Sequence, residues 1–310
     1  MPFDPYLAGR LHLMENLDFH QMDADMTSRM TAFYEDPEAW SMPAGVGVED
    51  AQLDGPNGGV PYRVYRPETA NGRVLVWAHG GGFATGDLDS PEAHIVAAEL
   101  AHRSGVVVVS VDYRLARDGI HYPVPIDDVH AVVASVLAGT ADGVGASNWV
   151  GVGGASAGAA LAMAATHRFR DIAGPSPDAL LLAYPFVHFP TPGLSPEAAA
   201  ELAILPPALR TPPGNIEWII RNYVGRVTDL PVDVAPGAAP LDQLPATHIV
   251  ISEYDDLRSS AELLITQLTE VGVPVHSYVA AGMPHGHLNR SPSLAEVDRS
   301  LDFFAGALHD

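Results

Sequence analysis

The feature that most constrains this chain is a rhythm of short apolar, β-branched runs alternating with longer stretches of helical periodicity. The run Val106-Val107-Val108-Val109-Ser110-Val111 is the clearest case. It shows no polar alternation, so it reads as a strand buried on both faces, which a parallel sheet covered by helices provides. Further strands read at 46–53, 60–66, Arg73–Ala78, 148–153, 179–184, 247–252 and 273–279. Helical periodicity fills 91–103, 125–138, 157–169, 258–271 and 293–308. Such alternation implies an α/β fold with a mostly parallel central sheet and helices on both faces. The first two strands are joined by Asp54-Gly55-Pro56-Asn57-Gly58-Gly59, dense in turn formers, and predict an antiparallel edge.

Two regions leave the rhythm. Residues 1–45 read as mainly helical with polar interruptions, and 188–222 are rich in proline. Both are expected to form a helical cap above the carboxyl edge of the sheet, within a single domain spanning 1–310. In the first region Leu13, Phe19, Met22, Met26, Met30 and Phe33 form an apolar stripe. Such a stripe ordinarily packs into a core, and under a cap some of it would face a pocket.

Composition narrows the function. There is no cysteine, which removes thiolate catalysis, disulfides and metal–thiolate sites. The formal net charge is −22, from 38 acidic residues against 16 basic ones, all of them arginine. That field repels polyanions and argues against a nucleic-acid partner. No basic, apolar leader opens the chain, and no apolar run is long enough to span a bilayer, so a soluble cytoplasmic protein with no membrane partner is expected.

The segment Gly154-Ala155-Ser156-Ala157-Gly158 is a G-x-S-x-G match entered by a β run and left by an alanine-rich helix. As a pentapeptide it is weak, and a bare tight turn would satisfy it equally well. In the strand-to-helix context it places Ser156 on a strained turn with Oγ clear of the backbone and a helix N-terminus beneath. Upstream, His79-Gly80-Gly81-Gly82-Phe83 follows the Arg73–Ala78 strand. Consecutive glycines suit a backbone that points N–H groups at a ligand from close range. The N–H groups of Gly81, Gly82 and Ala157 are the expected oxyanion donors. A phosphate loop is disfavoured because no GK[ST] or G-x-G-x-x-G pattern occurs. His79 is expected to orient its own turn.

A serine hydroxyl needs a base, and the base needs an orienting acid. Two pairs of candidates remain on the residues alone. Asp255 and Asp256 follow the strand at 247–252, and His285 and His287 follow the last strand. Both loops lie where open α/β sheets bind ligands, beyond the carboxyl ends of their strands.

Together these motifs resemble the bacterial hormone-sensitive-lipase-like esterases, a branch of the α/β-hydrolase superfamily, from about residue 40 to the end. His79-Gly80-Gly81-Gly82 resembles the family's HGGG signature, and Tyr113-Arg114-Leu115-Ala116 its YRLA motif. Tyr122-Pro123 with Asp127-Asp128-Val129 resembles the segment that follows. Asp255-Asp256-Leu257-Arg258 resembles its DxLR acid motif, and His285-Gly286 its HG base motif. The resemblance implies Ser156, Asp255 and His285 as the catalytic triad, with Gly81, Gly82 and Ala157 as the oxyanion hole. It implies a carboxylesterase acting on short- to medium-chain or small-molecule esters, without metal or organic cofactor. It also raises a homodimer paired along the edge strand at 273–279. The chain departs from the family at Ala155, where Asp or Thr is usual, at Arg117-Asp118 after YRLA, and at His287, where an aromatic is common. A lactonase, amidase or carbamate hydrolase on the same fold, or a non-catalytic small-molecule-binding protein, is the rival reading.

Overall fold

A computed structural model describes residues 2–17, 23–172 and 174–309. In chain order the elements are α1 (Pro5–Ala8), a 3-10 turn at Leu11–Met14, α2 (Ala24–Tyr34), β1 (Val46–Gly55), β2 (Gly58–Pro67), β3 (Arg73–Ala78), α3 (Pro91–Ser104), β4 (Val107–Val111), α4 (Val124–Leu137), β5 (Trp149–Ala155), α5 (Ala157–Arg170) and β6 (Ala179–Ala183). There follow α6 (Pro196–Leu202), α7 (Pro213–Val224), β7 (Ala246–Tyr254), α8 (Arg258–Glu270), β8 (Val275–Pro284) and α9 (Ala295–Ala307), with short 3-10 turns between some of them.

The eight strands form one sheet in the order β1-β2-β4-β3-β5-β6-β7-β8. β1 pairs antiparallel with β2 and β2 with β4, and every other pairing is parallel. The predicted antiparallel edge is therefore present. Its two strands run further into the turn than the sequence indicates, leaving only Pro56 and Asn57 between them.

Side chains of the central strands divide by parity between two apolar layers. Val74, Val76, Val107, Val109, Val152 and Leu182 face the layer built on α4, α5 and α8. Leu75, Trp77, Val108, Leu181 and Val250 face the layer built on α3 and α9. Strand residues alternate faces, so covering both faces with helices demands the unbroken apolar runs seen in the sequence. At roughly 25 cal/mol per Å² of apolar surface removed from water, these two layers dominate the stability of the chain.

The regions outside the rhythm pack against this body. α1 is started by Pro5 and capped by Asp4, whose carboxylate accepts from the N–H groups of Tyr6 and Leu7. In the stripe at 1–45, Met26 and Phe33 are buried and Met30 is partly so, while Met14 rather than its neighbour Leu13 is buried. Phe19 and Met22 lie outside the described residues. No described helix is long and apolar enough to cross a membrane.

Candidate active site

The strand order sets the site. β3 and β5 are neighbours, so the loops leaving their carboxyl ends, residues 79–86 and the turn at Ser156, meet above the sheet. β7 and β8 are also paired, and Tyr254 lies opposite Pro284 across the pair. Asp255 and His285, the next residue on each strand, therefore emerge side by side.

Ser156 stands between β5 and α5 with φ 53° and ψ −115°, a left-handed conformation that costs a non-glycine residue of order 1–3 kcal/mol. The turn is held by the Ser156 N–H on the Ala183 carbonyl at 2.9 Å. Its flanking glycines are steric necessities. A Cβ on Gly158 would stand 2.2 Å from the Ala78 carbonyl oxygen, and one on Gly154 would stand 2.5 Å from the Gly158 backbone. The pentapeptide pattern thus follows from how closely this turn packs on the end of β3.

His285 bridges the other two residues. Its Nδ1 lies 2.7 Å from an Asp255 oxygen and its Nε2 2.9 Å from Ser156 Oγ. With Asp255 ionised, Nδ1 carries the proton and donates to it, leaving Nε2 as the acceptor for the serine hydroxyl. Asp255 is buried and also receives the Leu257 N–H at 2.8 Å. Burial acts to lower the His285 pKa, but the Asp255 carboxylate outweighs it, aided by Glu92 and Asp256, and the pKa is raised above 6.5.

The structure separates both ambiguous pairs. Asp256 turns away from the imidazole and takes a two-pronged ion pair with Arg210, at 2.7 and 2.8 Å, plus the Thr211 N–H at 2.7 Å. His287 is buried between two hydroxyls, Ser252 at 2.9 Å from Nδ1 and Ser300 at 3.0 Å from Nε2. Burial pushes its pKa down to about 3, so it stays neutral.

In the glycine loop, Gly81 has φ 108°, and a Cβ there would stand 2.1 Å from the Thr85 carbonyl oxygen. The Gly81 carbonyl accepts from the N–H groups of Ala84 and Thr85, closing a tight turn. Among the described residues, no acceptor takes the N–H of Gly81, Gly82 or Ala157. His79 is buried, stacked on Tyr113 with ring centroids 4.4 Å apart, and its Nδ1 donates to the Gly80 carbonyl at 2.7 Å. The Tyr113 hydroxyl donates to the His79 carbonyl at 2.8 Å. This tyrosine of the YRLA segment therefore holds the loop from below.

These loops open into a cavity of about 570 Å³ that Ser156 and His285 line. Its walls include Phe186, Leu257, Ile216, Ile219 and Thr211, with Tyr34 from α2. Both off-rhythm regions thus contribute: α2 through Tyr34, and the 188–222 stretch through Thr211, Ile216 and Ile219.

Sequence reasoning passed over three residues of this neighbourhood. Glu92, Tyr184 and Asn289 are joined by hydrogen bonds beside Ser156 and His285. Glu92 reads in sequence as an ordinary acidic residue in the first turn of a helix, and nothing near Tyr184 or Asn289 forms a motif. Their proximity arises from the strand order.

A serine, an aspartate and a histidine on the carboxyl-edge loops of a mostly parallel sheet, in that chain order, define an α/β-hydrolase. The model of the alpha/beta hydrolase fold family matches residues 75–289. The chain belongs to that family, in its hormone-sensitive-lipase-like branch. It is similar to Esterase LipI of Mycobacterium tuberculosis, 35% identical over 256 residues that cover 78% of this chain and 75% of the relative. Carboxylesterase NlhH of the same organism is 34% identical over 264 residues, covering 81% and 79%. Among solved structures, the Pyrobaculum calidifontis esterase superposes with a TM-score of 0.78 at 28% identity, covering 99% of this chain and 98% of that one.

Proposed function

We propose that the protein is a carboxylic ester hydrolase that works through an acyl-enzyme on Ser156. The observation that carries this reading is the His285 imidazole, within hydrogen-bond reach of Ser156 Oγ on one side and of the buried Asp255 on the other. That arrangement can move a proton off a hydroxyl as it adds to a carbonyl.

Ser156 Oγ adds to the ester carbonyl carbon while its proton passes to His285 Nε2. The carbonyl π pair moves to oxygen, and the N–H groups of Gly81, Gly82 and Ala157, free of protein acceptors among the described residues, receive the oxyanion. Collapse breaks the bond to the alcohol, which leaves with the proton from His285. Water, deprotonated by the same nitrogen, then adds to the acyl-enzyme, and collapse restores Ser156 and frees the acid. Asp255 keeps the imidazole in the required tautomer and stabilises it when charged.

The cavity supports short- to medium-chain or small-molecule esters as substrates. Phe186, Leu257, Ile216 and Ile219 offer an apolar wall for an acyl chain of a few carbons. We assign residues 1–45 and 188–222 as the cap over this site, on the strength of Tyr34, Thr211 and Ile219 in its walls. The relatives named above as esterases support the reaction class.

The test is Ser156→Ala. Hydrolysis of p-nitrophenyl acetate should fall by about 10⁴-fold or more with the fold intact. A Ser156→Ala protein that turns over the ester at the parent rate would rule the reading out.

A further inference from the structure

A buried carboxylate that the acyl-transfer steps do not use lies beside them. Glu92 sits in the first turn of α3, buried, and lines the same cavity as Ser156. Donors from three separate segments converge on it. The Gly80 N–H of the glycine loop reaches one oxygen at 2.5 Å. The Tyr184 hydroxyl, just past the end of β6, reaches the other, and the Asn289 amide joins it there at 3.1 Å. Asn289 also donates to the Gly286 carbonyl at 3.1 Å, the residue after His285. Tyr184 sets its ring edge against the His285 imidazole, centroids 5.0 Å apart.

From this convergence we infer that Glu92 is a positioning residue, whose carboxylate ties the oxyanion loop to the base loop and sets a negative charge behind His285. The inference rests on the esterase reading above. Two of its donors, a backbone N–H and an amide, have no lone pair to offer a carboxylic acid, so the ionised form is the one this surrounding solvates. The N-terminus of α3 adds a positive dipole end. The helix is fixed in turn, because Trp77 Nε1 on β3 donates to the Glu92 carbonyl at 3.1 Å. Burial raises the Glu92 pKa above the ordinary 4.5, and the Tyr184 hydroxyl, the Gly80 N–H, protonated His285 and the Asn289 amide offset only part of that rise.

The charge acts on one partner that titrates in the working range. The groups facing His285 are Asp255 and Asp256 from the end of β7, Glu92 from α3, Tyr184 from the end of β6, and the neutral His287 of its own loop. Asp256 is already paired with Arg210. Glu92 is therefore the carboxylate, after Asp255, whose removal His285 should feel most. A residue that merely filled space would leave the ionisation of His285 alone.

The experiment compares parent, Glu92→Gln and Glu92→Asp in two assays across pH: steady-state hydrolysis of p-nitrophenyl acetate, and the rate at which a fluorophosphonate labels Ser156. Glu92→Gln keeps the shape and removes the charge. It should lower kcat by about tenfold to a hundredfold with KM within about twofold. It should also move the acid limb of the labelling rate down by about half a pH unit or more. Glu92→Asp keeps the charge and loses reach, so kcat should fall while the limb stays at the parent position. If neither variant folds, Asn289→Ala takes their place and should lower kcat several-fold at unchanged KM. A Glu92→Gln profile superposing on the parent's, or an Asn289→Ala enzyme with parental kcat, would overturn the inference and leave the esterase reading standing. A folded parent that the fluorophosphonate does not label at Ser156 would overturn both.

Discussion

Asp255 and Asp256 are consecutive in the chain and face opposite ways: the first lies 2.7 Å from the imidazole of His285, the second is clasped by the guanidinium of Arg210. The strand end thus holds the base on one side and the 188–222 segment on the other. Asp255→Asn should keep the fold and lower kcat by about 10³- to 10⁴-fold, because the imidazole loses the partner that fixes its tautomer. Asp256→Asn should change the rate on a small acetate ester by less than about tenfold. It leaves one acceptor oxygen for the Arg210 and Thr211 donors that the carboxylate now takes, which loosens Thr211, a cavity residue, and should raise KM more for longer acyl esters than for acetate. Kinetics of both variants on a chain-length series check this split.

The pH dependence follows from the raised pKa of His285. Catalysis needs the neutral imidazole, so kcat/KM should fall as pH drops through a value above the ordinary 6.5. Stability runs the other way. A histidine whose folded pKa is raised contributes stability fully below its unfolded value, and that contribution is lost as pH rises through the folded one. The melting-temperature difference between the parent and a His285→Ala variant should therefore be largest below about pH 6 and shrink above neutrality.

His287 carries the opposite sign. Its folded pKa is depressed to about 3, so the unfolded chain binds a proton that the native state refuses. That costs stability progressively as pH falls from 6.5 toward 3. His287→Phe, which replaces the imidazole by an aromatic that does not titrate, should flatten this acid limb. It should also lower stability near neutrality by about 1–3 kcal/mol, because it leaves the buried Ser252 hydroxyl unpaired, while Ser300 keeps its bond to the Glu296 carbonyl. Thermal melts of parent and variant at pH 4.5 and 7.5 separate the two effects.

One buried arginine ties the end of α2 to the loop after β8. Arg290 lies over the rings of Phe33 and Tyr34, at 4.8 and 4.7 Å from their centroids, and pairs with Asp36 at 3.6 Å. Asp36 also accepts the Ser291 N–H at 2.7 Å. Arg290→Met should destabilise the protein by about 3 kcal/mol, since it strands a carboxylate against apolar surface. It should raise KM through Tyr34 while leaving kcat near the parental value. A denaturation curve paired with steady-state kinetics reads both.

How much of this was legible in the sequence differs by element. The β3 boundaries read correctly because Val74–Ala78 is apolar throughout and is followed by His79 and a glycine run. β8 read poorly: its burial is mixed, as an edge strand allows, and it runs over Val275–Pro284 rather than 273–279. The elbow was legible because the clash distances at Gly154 and Gly158 leave glycine no substitute. The adjacent aspartates were not separable on the residues alone. Which one turns inward depends on Arg210, 46 positions earlier, and no periodicity links the two. Glu92 was invisible for the same reason, since its partners Gly80, Tyr184 and Asn289 come from three different strand ends.

The most direct measurement is a crystal structure of the protein after reaction with diethyl p-nitrophenyl phosphate, from which Ser156 Oγ would displace p-nitrophenolate. A covalent bond from Ser156 Oγ to phosphorus is expected, with the phosphoryl oxygen within about 3.1 Å of the Gly81, Gly82 and Ala157 nitrogens. An unmodified Ser156, or an adduct whose phosphoryl oxygen points away from those three nitrogens, would contradict the account.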